Sequence, residues 1–202
     1  VRYTHGNLNY ASNHTIVAAE GCPPEILSQQ VAIIVPAVNY AGQEYTGILE
    51  TNRIIAPIMA GFFDMALDME FPFANVAPAS EHNFDDRLLM AASIGHSFNY
   101  RTIAGTNRLT FHARGLAFDG NQAGDQGGEH QGFGNPYMRL DEQTGEWISE
   151  PEGITWDPNR PGTFYSDHPL VRYMEKQGMF WGGNWKPAEG VVDFQHFGYG
   201  EI

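Results

Sequence analysis

His112 and Asp119 stand seven residues apart with Gly115 between them, and Asp193 and His196 stand three apart near the C-terminus of this 202-residue chain. Zinc accepts histidine nitrogen and carboxylate oxygen, and catalytic zinc sites use three protein ligands and keep a further position for water. Two imidazoles and two carboxylates supply three ligands and one general base. With His112, Asp119 and His196 on the metal, Asp193 is left to take the proton of a zinc-activated water as it attacks a peptide carbonyl, and to pass a proton to the leaving amine. Arg101 is the candidate cation for the carbonyl oxygen or a substrate carboxylate. Spacing alone is unspecific, because eight histidines and 24 acidic residues make such pairs common. Taken by itself it favours ordinary structural or surface histidines, the reading kept for His5, His14, His82, His130 and His168. His96 reads as a satisfied polar group close to the site. The His-Glu-x-x-His pair of helical zinc proteases is absent.

These side chains need particular elements to meet. On one helix, residues seven apart would stand about 10 Å from each other along the axis, too far to share an ion, so His112 is expected at a turn or short helix, with a reversal at Gly115 and Asp119 returning on a strand. On the last expected strand, Val191 to Tyr199, alternation puts residues 194, 196 and 198 on one side and Asp193 on the other. A bulge or turn near Phe194 is therefore required. Upstream, Val31 to Asn39 and Glu44 to Glu50 read as strands joined by a short turn. Asn52 is expected to cap a helix from Arg53 to Met69, with Ile54, Ile58, Phe62, Met65 and Met69 on one face. Asp85-Asp86 opens a short helix, and Phe98 to Ile103 is extended and carries Arg101. Residues 120–134 form a glycine-rich loop; Asp119, Asn121 and Asp125 within it hint at a calcium loop, which Ala123 and His130 then break. Residues 141–163 read as a long surface excursion, and Asp167 is expected to cap a helix from Pro169 to Gln177. Strands and helices in irregular order point to α+β: a single compact domain, a mainly antiparallel sheet flanked by helices, and the zinc site on the sheet. Residues 1–44 are expected to be an N-terminal arm or cover packed on a domain of residues 45–202.

The bulk properties narrow the function classes. Eleven basic against 24 acidic residues give a net charge of −13, which repels phosphate backbones and argues against nucleic-acid binding. The longest apolar stretch, Ile54 to Leu67, is interrupted by Pro57, Gly61 and Asp64, so membrane insertion is not expected. With Cys22 as the single cysteine there is no internal disulfide and no cysteine-based zinc site. No charged-then-apolar leader is visible at Val1, which leaves the compartment open.

The run Thr110-Phe111-His112-Ala113-Arg114-Gly115-Leu116-Ala117-Phe118-Asp119 resembles the Ser-x-His-x-x-Gly-x-Ala-x-Asp signature of the zinc D-Ala-D-Ala carboxypeptidases, the family that includes L-alanyl-D-glutamate endolysins and vancomycin-resistance dipeptidases (the LAS-type metallopeptidases). Phe98-Asn99-Tyr100-Arg101 with Ile103-Ala104-Gly105-Thr106 is similar to the segment before that signature, and Asn135-Pro136-Tyr137 to the one after it. Trp181-Gly182-Gly183-Asn184-Trp185, followed by Asp193-x-x-His196-Phe197, resembles the closing motif. The likeness covers roughly residues 45–202. It implies a compact α+β peptidase with zinc on His112, Asp119 and His196, Asp193 at the catalytic carboxylate position, and Arg101 as a substrate or transition-state contact. Asp rather than Glu at position 193 leans toward the endolysin-like branch. The implied substrate is a peptidoglycan stem peptide, cut at L-Ala-D-Glu or at a D-Ala terminus, and the implied place of action is the bacterial cell wall, reached by secretion, in the periplasm or by phage delivery. Thr110 stands where Ser is usual, Gly120-Asn121 replaces an apolar-Asn pair, and Gly198 stands where an acidic residue commonly follows His-Phe. The competing reading is a non-catalytic, zinc-stabilised module that binds wall peptides or a partner. Oligomeric state is not legible.

Overall fold

The β-branched run after Gln30 forms the first long strand. In the computed structural model, which describes residues 8–185 and 190–200, a single turn of helix, α1 (Pro24–Leu27), leads into β1 (Gln30–Val38). This strand pairs antiparallel with β2 (Glu44–Asn52) along its whole length, from Gln30 opposite Asn52 to Val38 opposite Glu44. The Asn39 side chain fixes the turn, accepting from the backbone N–H groups of Ala41 and Gln43. The 44/45 division falls at the foot of this hairpin, and Ile33, Val35 and Leu49 from its two strands enter one common core. His5 and the rest of residues 1–7 lie outside the described residues. Pro36 lacks an N–H, but its nitrogen lies two residues beyond that of Ile34, which donates away from β2 to Asn9 O, so no bond of the β1–β2 ladder is lost.

Helix α2 (Ala56–Asp68) packs across this hairpin. Ala56, Met59, Ala60, Phe62, Phe63, Met65 and Ala66 are all buried, so the helix is covered on most of its circumference. A helix apolar nearly all round belongs in the interior. The face expected from spacing is therefore rotated: Phe62 and Met65 are core, whereas Ile54 precedes the helix and is 55% exposed, and Met69 is 38% exposed. Asn52 does not cap α2, whose N-cap position is Ile55; its side chain instead accepts from the Ile54 N–H in the turn before the helix.

Two short strands, β3 (Asn75–Val76) and β4 (Ile94–Gly95), pair in parallel and bracket α3 (Asp86–Ala91). Asp85 caps α3, accepting from the N–H groups of Arg87 and Leu88. The stretch 98–103 is held by local pairing in place of a regular strand: Ile103 donates to Arg108 O, and Thr102 bridges Leu109. Next come β5 (Ala117–Asp119), then β6 (Tyr137–Leu140) and β7 (Trp147–Glu150), which form an antiparallel hairpin whose second strand lies in the region expected to be only a surface excursion. Helix α4 (Pro169–Lys176) is capped by His168, whose Nδ1 accepts from the Leu170 N–H, one position beyond the expected Asp167. The chain closes with β8 (Met179–Trp181), β9 (Val191–Asp193) and β10 (His196–Tyr199).

The last three strands tie two sheets together. One has the order β5-β10-β8 and the other β7-β6-β9, and all their pairings are antiparallel. Beneath them lies a cluster of phenylalanines, in which Phe62 touches Phe63, Phe73, Phe118, Phe164 and Phe197 at ring-centroid distances of 5.4–6.3 Å. Every one of these rings is fully buried. Phe118 and Phe197 belong to the same strands as Asp119 and His196, so the core anchors the residues next to them. The chain is a single compact α+β domain with mainly antiparallel sheets.

Candidate metal centre

His112 opens a 3-10 turn, His112–Arg114, that Gly115 ends in the left-handed conformation at φ 64°. Thr110 supports this turn from the front, its hydroxyl accepting from the Ala113 N–H at 3.0 Å, so the hydroxyl usual at this position is retained. Gly115 is required twice over. Its φ suits glycine, and a Cβ there would collide with the Gln30 side chain and come within 2.7 Å of the Asn52 backbone nitrogen. The reversal delivers Asp119 onto β5, directly opposite His196 on β10. Directly opposed residues of an antiparallel pair carry their side chains on the same face.

The break near Phe194 is present. Strand β9 ends at Asp193, Phe194 and Gln195 turn, and β10 begins at His196 in a different sheet. Asp193 is held by pairing with Tyr137 of β6, the tyrosine of Asn135-Pro136-Tyr137. In that motif Asn135 is fully buried and bonds Gly162 O and the Phe164 N–H, tying β6 to the segment before α4.

Three donor atoms converge. His196 Nδ1 lies 2.9 Å from Asp119 Oδ1, His112 Nε2 lies 3.2 Å from the same oxygen, and the two histidine nitrogens are 3.3 Å apart. All three residues are buried. The other nitrogen of His112, Nδ1, sits 2.8 Å from Ser97 O. A carbonyl only accepts, so Nδ1 carries the proton and Nε2 presents its lone pair to the cluster. Metal-ligating histidines commonly donate their second nitrogen to such a carbonyl. Two imidazoles and a carboxylate, dry and converging, suit a zinc ion in donor type and number.

The electrostatics fit the same description. Burial alone would raise the Asp119 carboxyl, but the charge and hydrogen bonds of His112 and His196 outweigh it and hold it well below the usual carboxylate range. His196 is disfavoured as a cation by burial, yet its bond to Asp119 raises it overall. Asp193 behaves oppositely: burial, reinforced by the nearby Asp119 charge, pushes its carboxyl up to about 7, and its Oδ1 has no hydrogen-bond partner. The two carboxyls are thereby shifted in opposite directions, Asp119 down and Asp193 up.

The charge of Arg101 is felt at both Asp193 and His196, and its side chain is one-third exposed. Its Nε lies 2.5 Å from Asp86 Oδ2 at the start of α3, while Asp86 Oδ1 accepts from Asn99 Nδ2 at 2.9 Å. Asp86 was not legible as part of the site, since it belongs to another element and no motif marks it. His96 was underestimated. It is buried, its ring stacks on His112 with centroids 5.1 Å apart, and one donor atom each from His96, His112 and Asp119 lie within 4.8 Å of one another. Gly198, where an acidic residue was expected, is explained by Phe180, whose ring occupies the space a Cβ would need.

Two other histidines have separate duties: His14 pairs with buried Glu50 at 2.8 Å, and His168 caps α4. A cleft of about 550 Å³, lined by Trp147, Trp156, Val192 and Phe194, lies beside β9. Val192 precedes Asp193 on β9 and points to the other face by the strand's two-residue period, and none of His112, Asp119, Asp193 and His196 lines this cleft, so it is not the chemical centre.

Residues 104–199, just under half of the chain, match the family model described as D-alanyl-D-alanine carboxypeptidase. No curated protein and no solved structure matches. The matched segment contains His112, Asp119, Asp193 and His196, and the match supports a peptidase function; Arg101 lies just ahead of it. No helix among the described residues is long and apolar enough to cross a membrane.

Proposed function

We propose that this chain, whose residues 104–199 carry the D-alanyl-D-alanine carboxypeptidase match, is a zinc-dependent peptidase acting on peptidoglycan stem peptides, at an L-Ala-D-Glu bond or a D-Ala terminus. His112 Nε2, Asp119 Oδ1 and His196 Nδ1 are the ligands. Zinc held there supplies a Lewis acid for the scissile carbonyl and lowers the pKa of water toward about 7. Asp193 is the general base. Its buried carboxyl, with Oδ1 unpartnered, is available to take a proton from water and return one to the departing amine. Arg101, held by Asp86, faces the negative charge that develops on the carbonyl oxygen or the carboxylate of a D-Ala end.

The observation that carries this reading is the convergence of the three donor atoms, 2.9, 3.2 and 3.3 Å apart, beside an unpartnered carboxylate oxygen of Asp193. A module that used zinc only for stability would need neither that carboxylate nor Arg101. Metal analysis tests the ligand set: His112→Ala is expected to lose zinc while Asp193→Ala keeps it. Full zinc retention by His112→Ala would reject the assignment.

A further inference from the structure

We propose that His96 is an additional protein donor to the metal, through Nε2, so that the centre uses three histidines and one aspartate. The inference rests on the zinc reading above and adds a ligand to it. The backbone aligns His96 with the site. His96 and Asp119 exchange both backbone hydrogen bonds, His96 N to Asp119 O at 3.1 Å and Asp119 N to His96 O at 3.0 Å. They therefore form a directly opposed antiparallel pair with side chains on one face. On its other side Asp119 stands directly opposite His196 in the antiparallel register with β10. His96, Asp119 and His196 are thus a row across three adjacent segments at one level, and His112 completes the group, stacked against His96.

The tautomer points the same way. His96 Nδ1 lies 3.1 Å from Ile94 O, so that nitrogen holds the proton and donates it to the carbonyl. Nε2 then carries a lone pair. It is buried and has no hydrogen-bond partner, in a residue only 2% exposed. Nε2 of His112 is prepared identically, by Ser97 O. Two imidazoles fixed by backbone carbonyls with lone pairs turned into one dry cluster beside a carboxylate suit a shared cation, and a buried acceptor without a partner is costly otherwise. No catalytic proton is assigned to His96; its part is to hold the metal.

X-ray absorption of the zinc-loaded full chain counts imidazoles directly and needs no variant. Three support the inference. Two overturn it and leave the two-histidine zinc site standing. A protein that takes up no zinc overturns the zinc reading and this inference together. As a second measurement, chelator competition on His96→Ala, with folding checked by circular dichroism, is expected to show zinc binding weakened beyond the roughly 10–100-fold typical of losing a group that only orients a ligand. The visible spectrum of cobalt in place of zinc is expected to change with it. Unchanged affinity and an unchanged cobalt spectrum in His96→Ala would overturn the inference.

Discussion

Asp193→Asn is expected to stabilise the metal-free protein, and to do so more strongly as pH rises. The Asp193 carboxyl is held near 7 against an ordinary value of 3.8, chiefly because it is buried and secondarily because Asp119 is charged beside it. A carboxyl whose pKa is raised on folding binds its proton more tightly in the native state. Between about pH 4 and 7 the folded protein therefore holds more protons than the unfolded one, and stability falls as pH rises through that window. At 1.36 kcal/mol per unit, the cost is about 1–2 kcal/mol at pH 5 and rises to about 4 kcal/mol at pH 8. Asparagine keeps the shape and removes the charge, so the variant should gain about that much at each pH. The assay is urea unfolding of both proteins in chelator at pH 5 and pH 8. The reasoning is refuted if the variant is no more stable than the parent at pH 8, or if its advantage is the same at both values. Stability given up at one carboxyl is what a site built for catalysis is expected to show.

Other perturbations test the supports of the site. Asp86→Ala should lower kcat/KM about 10-fold without changing zinc content, and Arg101→Ala about 100-fold or more, by analogy with loss of one oxyanion donor; the double variant should be no worse than Arg101→Ala alone, since Asp86 acts through that arginine. Gly115→Ala should cost about 1–3 kcal/mol in denaturant unfolding, because φ 64° and the Gln30 and Asn52 contacts leave no room for a Cβ. Phe118→Ala should cost about 3–5 kcal/mol, as it removes a ring packed 5.5 Å from both Phe62 and Phe63.

The parts of the site fixed by local chain chemistry were legible in the sequence. A histidine turn closed by Gly115 and an aspartate on the returning strand follow from residue type and short spacing, whereas the break at Phe194 follows only from requiring Asp193 and His196 to face one site. Helix α2 was found but its buried face was misjudged, because a helix that is apolar nearly all round has little periodic signal to orient it. The capping of α4 slipped from Asp167 to His168, since both residues can accept from a helix N-terminus and only the backbone geometry separates them. His96 and Asp86 escaped for a different reason. Their roles depend on pairings across segments, His96 with Asp119 and Asp86 with Arg101, that no spacing in the sequence records. The hairpin of β6 and β7 was hidden by its composition, where Pro, Gly, Asp and Glu dominate residues 141–163 and leave a short four-residue strand.

The central claim is that Asp193 and a zinc centre on His112, Asp119 and His196 together cut a wall peptide. Incubating the zinc-loaded protein with purified peptidoglycan and identifying new termini by mass spectrometry tests it directly. New termini at L-Ala-D-Glu or at a D-Ala end, formed by the parent and not by Asp193→Ala, are the expected result. No cleavage by the parent, or equal cleavage by Asp193→Ala, would contradict the account.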